Sequence, residues 1–376
     1  MPSDDAHARG VQCVYALVLR FRANPEGRAN VPRFSIVIPV LGDPQQFEPT
    51  LVSVLENRPE DCQIVLALNR PYDDPYQLEG EVEFVRLPRK AGWADELNAA
   101  WAVCRAEIVA VLACGAEVAP GWTEAALSAF DDPLVTSAAP LIVHDPRPAE
   151  GDCRPADLAT HPDHLPHALP TDDQAPADIL SMVSPSHKTV VSMGLGCGLA
   201  GEVYRLAEGQ RPDALRPSFR PIGPDPLAGF FRRRAVEIVG GWTALGGPTL
   251  CHADLALRLQ AMGSRCAPLP ANALRFCRAA QENEHPLSRG WHAERFFWRW
   301  RSQQARWTGT AAHLGLGILR AAAGIVRPSL ACEMLGRMAA IAALPWSQLS
   351  PRAIDPAPFA DDTPSAVFSG IERRAA

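Results

Sequence analysis

Apolar residues along this chain fall into short β-branched runs that alternate with stretches of helical spacing. Arg33-Phe34-Ser35-Ile36-Val37-Ile38-Pro39-Val40 is the first run, free of charge after Arg33 and so read as a strand buried on both faces. Phe47, Leu51, Val54 and Leu55 then recur at helical spacing over Phe47–Asn57. Gln63–Asn69 is a second strand, and its exit, Arg70–Pro75, carries turn chemistry. Val82–Leu87 is a third, shorter strand. Leu97, Ala100, Trp101 and Cys104 share one stripe of a predicted helix over Trp93–Ala106. Glu107–Leu112 is the fourth strand; the turn Ala113–Glu117 follows, and a helix opens at Ala119–Trp122 with Pro120 near its first turn. This alternation predicts an α/β class with a doubly wound, mostly parallel sheet flanked by helices. Ligands of such sheets bind beyond the carboxyl ends of the strands, which singles out the loops at 39–46, 68–75 and 113–117.

The second half of the chain is less regular. Asp145–Ala177 is rich in Pro, Asp and His, lacks apolar periodicity and reads as a long insertion, with regular structure resuming near Ile179. Leu227–Arg234 leads into a short helix, Ala235–Val239, closed by Gly240-Gly241. A clearer helix, Ala253–Met262, is closed by Gly263. Ala311–Trp346 is apolar but interrupted by Arg320, Arg327, Pro328, Glu333 and Arg337. It predicts one or two amphipathic helices, packed on the domain or lying on a membrane surface, as a C-terminal helical extension. No apolar stretch is long enough to span a bilayer, and Val11–Phe21 is too short and too interrupted by Arg20 to read as a signal peptide. The expected division is a leader at 1–32, an α/β domain at 33–280 containing the 145–177 insertion, C-terminal helices at 281–346 and a tail at 347–376. No internal repeat is visible.

Composition narrows the partners. Of 376 residues 47% are hydrophobic, enough to bury a core, and the formal charge of −6 with no basic stretch disfavours a nucleic-acid partner. The ten cysteines form no CxxC pair, so they read as reduced thiols of a cytoplasmic protein. His252, His285 and His292 with Cys251 fit no short zinc signature, and His161, His164 and His167 sit in the Pro/Asp-rich insertion as solvated residues. Trp291, Phe296, Phe297, Trp298 and Trp300, interleaved with Arg295, Arg299 and Arg301, suit helix packing, a sugar or a membrane surface; peripheral membrane contact through 291–346 is one of these readings.

Three ordered blocks carry a family likeness. The first is Phe34–Pro39. The second runs through Lys90-Ala91-Gly92-Trp93, Leu97-Asn98-Ala99-Ala100, Ala106–Leu112 and Val118–Trp122. The third joins Gly229–Ala235, Val239-Gly240-Gly241-Trp242, Ala253–Arg258 and Gly263. Over roughly 33–143 and 225–275 the chain resembles the family 2 glycosyltransferases, whose nucleotide-sugar fold is called GT-A. The resemblance implies inverting transfer of a hexosyl group from a nucleotide-diphosphate sugar to an acceptor hydroxyl. A carboxylate takes the hydroxyl proton, and a divalent cation, Mn2+ or Mg2+, steadies the departing diphosphate.

The same resemblance assigns residues. Pro39, Asn69, Asp73, Gly92, Asn98 and Glu117 would contact the nucleotide sugar, Arg232, Arg233 and Arg234 would meet its diphosphate, and His252 and Asp254 would serve catalysis. Departures accompany them. Leu68 stands where the family reads the base with an acid, Ala113-Cys114-Gly115 stands in place of the metal-binding aspartates, and Cys251-His252 replaces Glu-Asp. Alanine and glycine offer no hard oxygen ligand, which leaves Glu117 as the remaining metal candidate. Each candidate also has a plain structural reading: His252 as a loop histidine, Asp254 as a first-turn helix acid, Glu117 as a solvated turn residue. Two functions stay open, a transferase and an inactive glycosyltransferase-like scaffold that binds a partner or sugar without turnover.

Overall fold

The structure, a computed structural model, describes residues 32–41, 47–74, 77–78, 80–144, 188–215, 219–276, 284–300 and 306–343. The expected leader up to residue 31, the 145–177 insertion with its three histidines, the resumption point at Ile179 and the 347–376 tail lie outside them.

Strands β1 (Phe34–Val40), β2 (Cys62–Leu68), β3 (Val82–Arg86) and β4 (Ile108–Leu112) pair in parallel in the order β3-β2-β1-β4. The sheet continues through β10 (Ala228–Arg232), β6 (Val135–His144) and β11 (Arg265–Phe276) to β5 (Ala116–Glu117), and β7 (Thr189–Ser192) pairs with β6. β10 is antiparallel to both β4 and β6, whereas β11 runs parallel to β6. Strands β1–β4, β6 and β11 therefore run one way and β5, β7 and β10 the other, so the sheet is mostly parallel by strand direction. A separate hairpin joins β8 (Leu195–Cys197) to β9 (Val203–Arg205).

The apolar run of β1 is buried at every position because both of its faces are covered. On one face Phe34, Ile36 and Ile38 pack with Leu51 and Val54 of α1 (Glu48–Glu56), and with Trp122, Ala126 of α3 (Glu124–Ala129) and Phe130. On the other, Val37, Val65, Val109 and Val111 pack with α2 (Trp93–Val103), α4 (Arg233–Ile238) and α5 (Pro248–Ala261). Trp101 of α2 meets Trp242 edge-on at 4.9 Å and Phe231 at 6.2 Å, tying α2 to β10 and to the turn after α4. Asn98 locks the same turn: its side chain donates to the Trp242 carbonyl at 2.8 Å and accepts from the Trp242 amide at 2.9 Å. Gly241, at φ +70°, leaves room for that clamp, since a Cβ there would strike the Asn98 amide oxygen.

Two features depart from the sequence reading. Helix α5 begins at Pro248, five residues before the predicted Ala253, because Gly247 and Pro248 form a helix start that an apolar-periodicity reading overlooks. Residues 228–232, expected only as a lead-in, form a central strand, and β6 and β11 were not foreseen. Pro140 within β6 and Pro268 within β11 look like strand breakers.

Asp254 of α5 joins the sheet domain to the C-terminal helices. It has no solvent exposure and accepts from Thr243 Oγ1 at 2.6 Å, Arg258 Nε at 3.0 Å and Trp300 Nε1 at 3.0 Å. Arg299 Nε lies 2.8 Å away as an ion pair. Arg258 extends the network to the carbonyls of Val239 and Gly241. Trp300 ends α6 (Pro286–Trp300), which crosses α8 (Pro328–Ala343) so closely that a Cβ at Gly290 or Gly336 would meet the opposite backbone. Helix α7 (Arg306–Gly324) is held by His313, which bridges the Ala200 carbonyl at 2.8 Å and the Glu294 carboxylate at 3.0 Å. Burial works to raise the Glu294 pKa, but contacts with His313, Trp298 and Arg337 outweigh it and hold the group below the usual carboxylate value.

Replacing Asp254 with Ala strands the Arg258 guanidinium in the interior, so Asp254→Ala should cost about 3–5 kcal/mol in urea unfolding. A loss below ~1 kcal/mol, the range of exposed pairs, would contradict this role.

Candidate functional site

The carboxyl ends of β1, β2 and β4 converge on a shelf closed by the start of α2. Val40 is in register with Leu68, so Asn69 follows directly beside the end of β1. Asn69 is buried, and its Nδ2 donates to the Ala91 carbonyl at 3.4 Å, bringing the turn before Gly92 to the end of β2. Gly92 caps α2, its amide donating to Asp95 at 3.0 Å. From β4, the Cys114 thiol donates to the Pro39 carbonyl at 3.3 Å, and the Gly115 amide donates to Thr50 at 2.8 Å. Pro39, Asn69 and Gly92, three of the predicted contacts, thus meet at one edge. Asp73 lies exposed in the loop beyond β2.

One residue on this shelf was missed by sequence reading. Glu96, on the inner face of α2, has 0% exposure and lacks a well-formed hydrogen bond to either carboxyl oxygen. Desolvation raises its pKa to about 8, opposed by contact with the Val40 backbone and helped by the Asp95 charge. Its charge also couples to Cys114, whose thiol burial pushes up to about 12. A carboxyl group therefore sits between the ends of β1 and β4 and is a neutral acid at pH 7. The signal was present in the sequence: position 96 is i+3 from Trp93 and one turn before Ala100, on the buried stripe.

Other predicted residues are placed elsewhere. Asn98 is committed to the Trp242 clamp. Glu117 is half-buried in β5, in register with Arg275 of β11, an opposite-charge cross-strand position. Arg232 pairs with Glu107 and donates to the Phe130 carbonyl at 2.8 Å; Arg233 donates to the Ala106 carbonyl at 3.0 Å and to Glu237 at 2.6 Å; Arg234 donates to Glu237 at 3.2 Å. These arginines flank Ile108, the amino end of β4, about 13 Å of strand away from the shelf. A diphosphate beyond the carboxyl ends is out of their reach, so the expected diphosphate role does not fit.

His252 does not fit the role of base either. The early start of α5 carries it into the helix, where it is 2% exposed and boxed by Trp93, Phe231 and Trp242 with ring centroids 5.8–6.1 Å away. Desolvation lowers its pKa to about 3, and neither ring nitrogen has a hydrogen-bond partner. Asp254, saturated by its four partners, is equally unavailable for proton transfer.

The metal question turns on the donor set. Among the described residues no group of three or more His, Cys, Asp or Glu is arranged to hold an ion. At the turn after β4, Ala113 and Gly115 supply no ligand and Cys114 is a protonated thiol. The described residues of this shelf do not fit a divalent cation. The described cysteines, among them Cys104, Cys114, Cys251 and Cys266, are free thiols.

A cavity of about 500 Å³ opens between the β8–β9 hairpin, the start of α5 and the C-terminal helices. Arg205, Arg289, Arg320 and Arg337 line it together with Glu202, Glu284 and Glu333. Arg205 donates to the buried Asp225 at 2.8 Å, and Asp225 accepts from the Leu227 amide at 3.0 Å. The Leu227 carbonyl in turn accepts from the Ala113 amide at 2.8 Å, so the cavity wall is linked to the shelf through a few bonds.

The chain has a mixed sheet with helices on both faces, and in such α/β sheets ligands bind beyond the carboxyl ends of the parallel strands. Residues 35–149 match the family model described as "Glycosyl transferase family 2". The third block, 225–275, lies outside the matched residues. Among solved structures, the chain is similar to "Mannosyltransferase PcManGT from Pyrobaculum calidifontis in complex with GDP-Man and Mn2+", at 15% identity and TM-score 0.44, over 92% of this chain and 87% of that one. It is also similar to "GalNAc-T7 with UDP, GalNAc and Mn2+", at 12% identity and TM-score 0.48, over 72% of this chain and 48% of that one. A third, "S. aureus TarS 1-349", has 12% identity and TM-score 0.38, over 71% and 64%. No curated protein matches the chain by sequence.

Because its nitrogens are unpaired, His252 is replaceable by an apolar ring. The natural protein should lose stability as pH falls from the ordinary histidine value of 6.5 toward 3, since the unfolded chain then binds a proton that the folded one refuses. His252→Phe should keep the fold and flatten melting temperature against pH in that window. An unchanged pH slope would contradict the burial argument, and a turnover loss of orders of magnitude in a folded variant would restore His252 as a base.

Proposed function

We propose that this protein binds a nucleotide-diphosphate sugar on the shelf formed by Pro39–Val40, Asn69, Gly92 and Ala113–Gly115. There it transfers the hexosyl group to an acceptor hydroxyl with inversion, without a divalent cation. The observation that carries this reading is Glu96. An ionised carboxylate at the shelf would repel a diphosphate; a buried neutral acid instead presents an O–H donor to the oxygen on which charge develops. In the displacement, the acceptor oxygen bonds to the anomeric carbon and loses its hydroxyl proton to water as the bond from that carbon to the diphosphate oxygen breaks. The leaving charge is met by the Glu96 donor, by the amino end of α2 and by the exposed Arg70, Arg89 and Lys90 of the neighbouring turns. The Mn2+ in the names of two similar structures has no matching donor set among the described residues of this shelf.

The cavity near Arg205 is the proposed acceptor site, because paired guanidinium and carboxylate groups hydrogen-bond hydroxyls in both directions. A second reading, binding without turnover, draws on one observation: His252 and Asp254 are both absorbed in packing, and neither is placed to take the acceptor proton.

Incubation with UDP-, GDP- and dTDP-sugars, with and without Mn2+, separates the readings. The transferase reading expects one donor to raise the melting temperature and release nucleoside diphosphate without Mn2+. A thermal shift without release supports the scaffold, and no shift with any donor overturns both. Glu96 adds a pH signature. With a folded pKa of about 8 against an ordinary 4.5, the fold retains a proton that the unfolded chain has lost, so stability falls as pH rises across that window. Glu96→Gln should remove this fall, at roughly 1.4 kcal/mol per unit of displacement, and should abolish the weakening of donor binding expected above pH 8. Identical pH profiles for the two proteins would remove Glu96 from the account.

A further inference from the structure

Helices α7 and α8 form a hairpin whose inner side is fixed by His313, Glu333, Gly336, Arg337 and Ala340, all buried. Its outer side is apolar and is not covered by any of the described residues. On α7, Trp307, Leu314 and Ile318 follow one another at intervals of seven and four residues, which places them on one face, and Ile325 follows in the turn just beyond the helix. Trp307 and Ile325 are each 88% exposed. Leu319 and Val326 flank that stripe, and Leu335, Met338 and Ile341 extend it on α8. No helix among the described residues is long and apolar enough to cross a membrane.

Charge says what this face suits. The chain as a whole is acidic, at −6, yet between Arg295 and Ile354 it contains eight arginines and a single acid, Glu333. That acid is turned inward, pairing with Arg337 at 3.3 Å and lying 3.6 Å from Arg320. The exposed surface of the hairpin therefore carries no carboxylate among the described residues. Arg327 stands exposed at the bend between the helices, and Arg295 stands exposed on α6. A two-fold dimer through this face would set arginine against arginine, since an isologous contact opposes each patch to itself.

We infer that the α7–α8 hairpin is a membrane-docking surface that lies in the interface of an anionic phospholipid bilayer. The apolar stripe enters the acyl boundary, Trp307 sits at headgroup depth, and the arginines face the lipid phosphates. Arg320, Glu333 and Arg337 of this hairpin also line the 500 Å³ cavity, so docking would place that cavity beside the membrane surface.

Co-sedimentation of the full chain with vesicles tests this independently of any donor sugar. The protein should pellet with phosphatidylcholine vesicles containing phosphatidylglycerol, less with pure phosphatidylcholine, and less again as salt rises. Leu314→Glu combined with Ile318→Glu, both at exposed positions, should leave the melting temperature unchanged and weaken vesicle binding by about tenfold or more. Arg327→Glu should weaken binding to the anionic vesicles alone. Absence of vesicle binding overturns the inference. So does binding that appears only when residues 1–31 are removed, which would make the leader the occupant of this face. A soluble dimer made monomeric by the same double variant, without vesicle binding, would assign the face to a second copy.

Discussion

The interior of this protein is organised around one carboxylate that cannot reach water. Asp254 accepts from Thr243, Arg258 and Trp300 and pairs with Arg299, so it holds together the turn after α4, helix α5 and the end of α6. Arg258 passes the constraint to the Val239 and Gly241 carbonyls, and Asn98 clamps the neighbouring Trp242 from α2. The chain from α2 to the C-terminal helices is thereby braced through few polar contacts, each costly to break because its partners are buried. That bracing also disqualifies the residue from chemistry, since a carboxylate with four fixed partners has no geometry left for a substrate.

Much of the fold was legible in the sequence because the parallel half obeys simple rules. The runs at 34–40, 63–69 and 108–112 are apolar throughout, as strands covered on both faces must be, and the intervening helices show clean stripes such as Leu97, Ala100 and Trp101. Legibility faded where a local signal contradicted tertiary context. Pro140 and Pro268 argue against strands that nevertheless form, and Gly247-Pro248 starts a helix before its apolar periodicity begins. That second error propagated to function, since a histidine assigned to a loop became one sealed among three aromatic rings.

The predicted site residues divide into those the structure brings together and those it does not. The resemblance assigned Pro39, Asn69 and Gly92, and the rule that ligands lie beyond the carboxyl ends of parallel strands singled out the loops holding the first two; the structure brings all three to one edge. The arginines at 232–234 fell at the opposite edge because their strand is antiparallel, and a strand's direction cannot be read from its own residues. Glu96 was overlooked because an acid on a helix is ordinarily a solvated residue; only its place on the buried stripe marks it. A neutral acid at this position and the absence of hard ligands at Ala113–Gly115 belong together. On the proposed reading, both suit a shelf that would receive a diphosphate through hydrogen-bond donors and a helix terminus rather than through a metal ion.

The most direct measurement is amide hydrogen exchange with and without the nucleotide-diphosphate sugar that binds best, in metal-free buffer. The account predicts slowed exchange at Val40, Asn69, Gly92–Glu96 and Ala113–Gly115, with none at Arg232–Glu237. Protection centred on the amino edge around Arg232, or protection at the shelf that requires Mn2+, would contradict it.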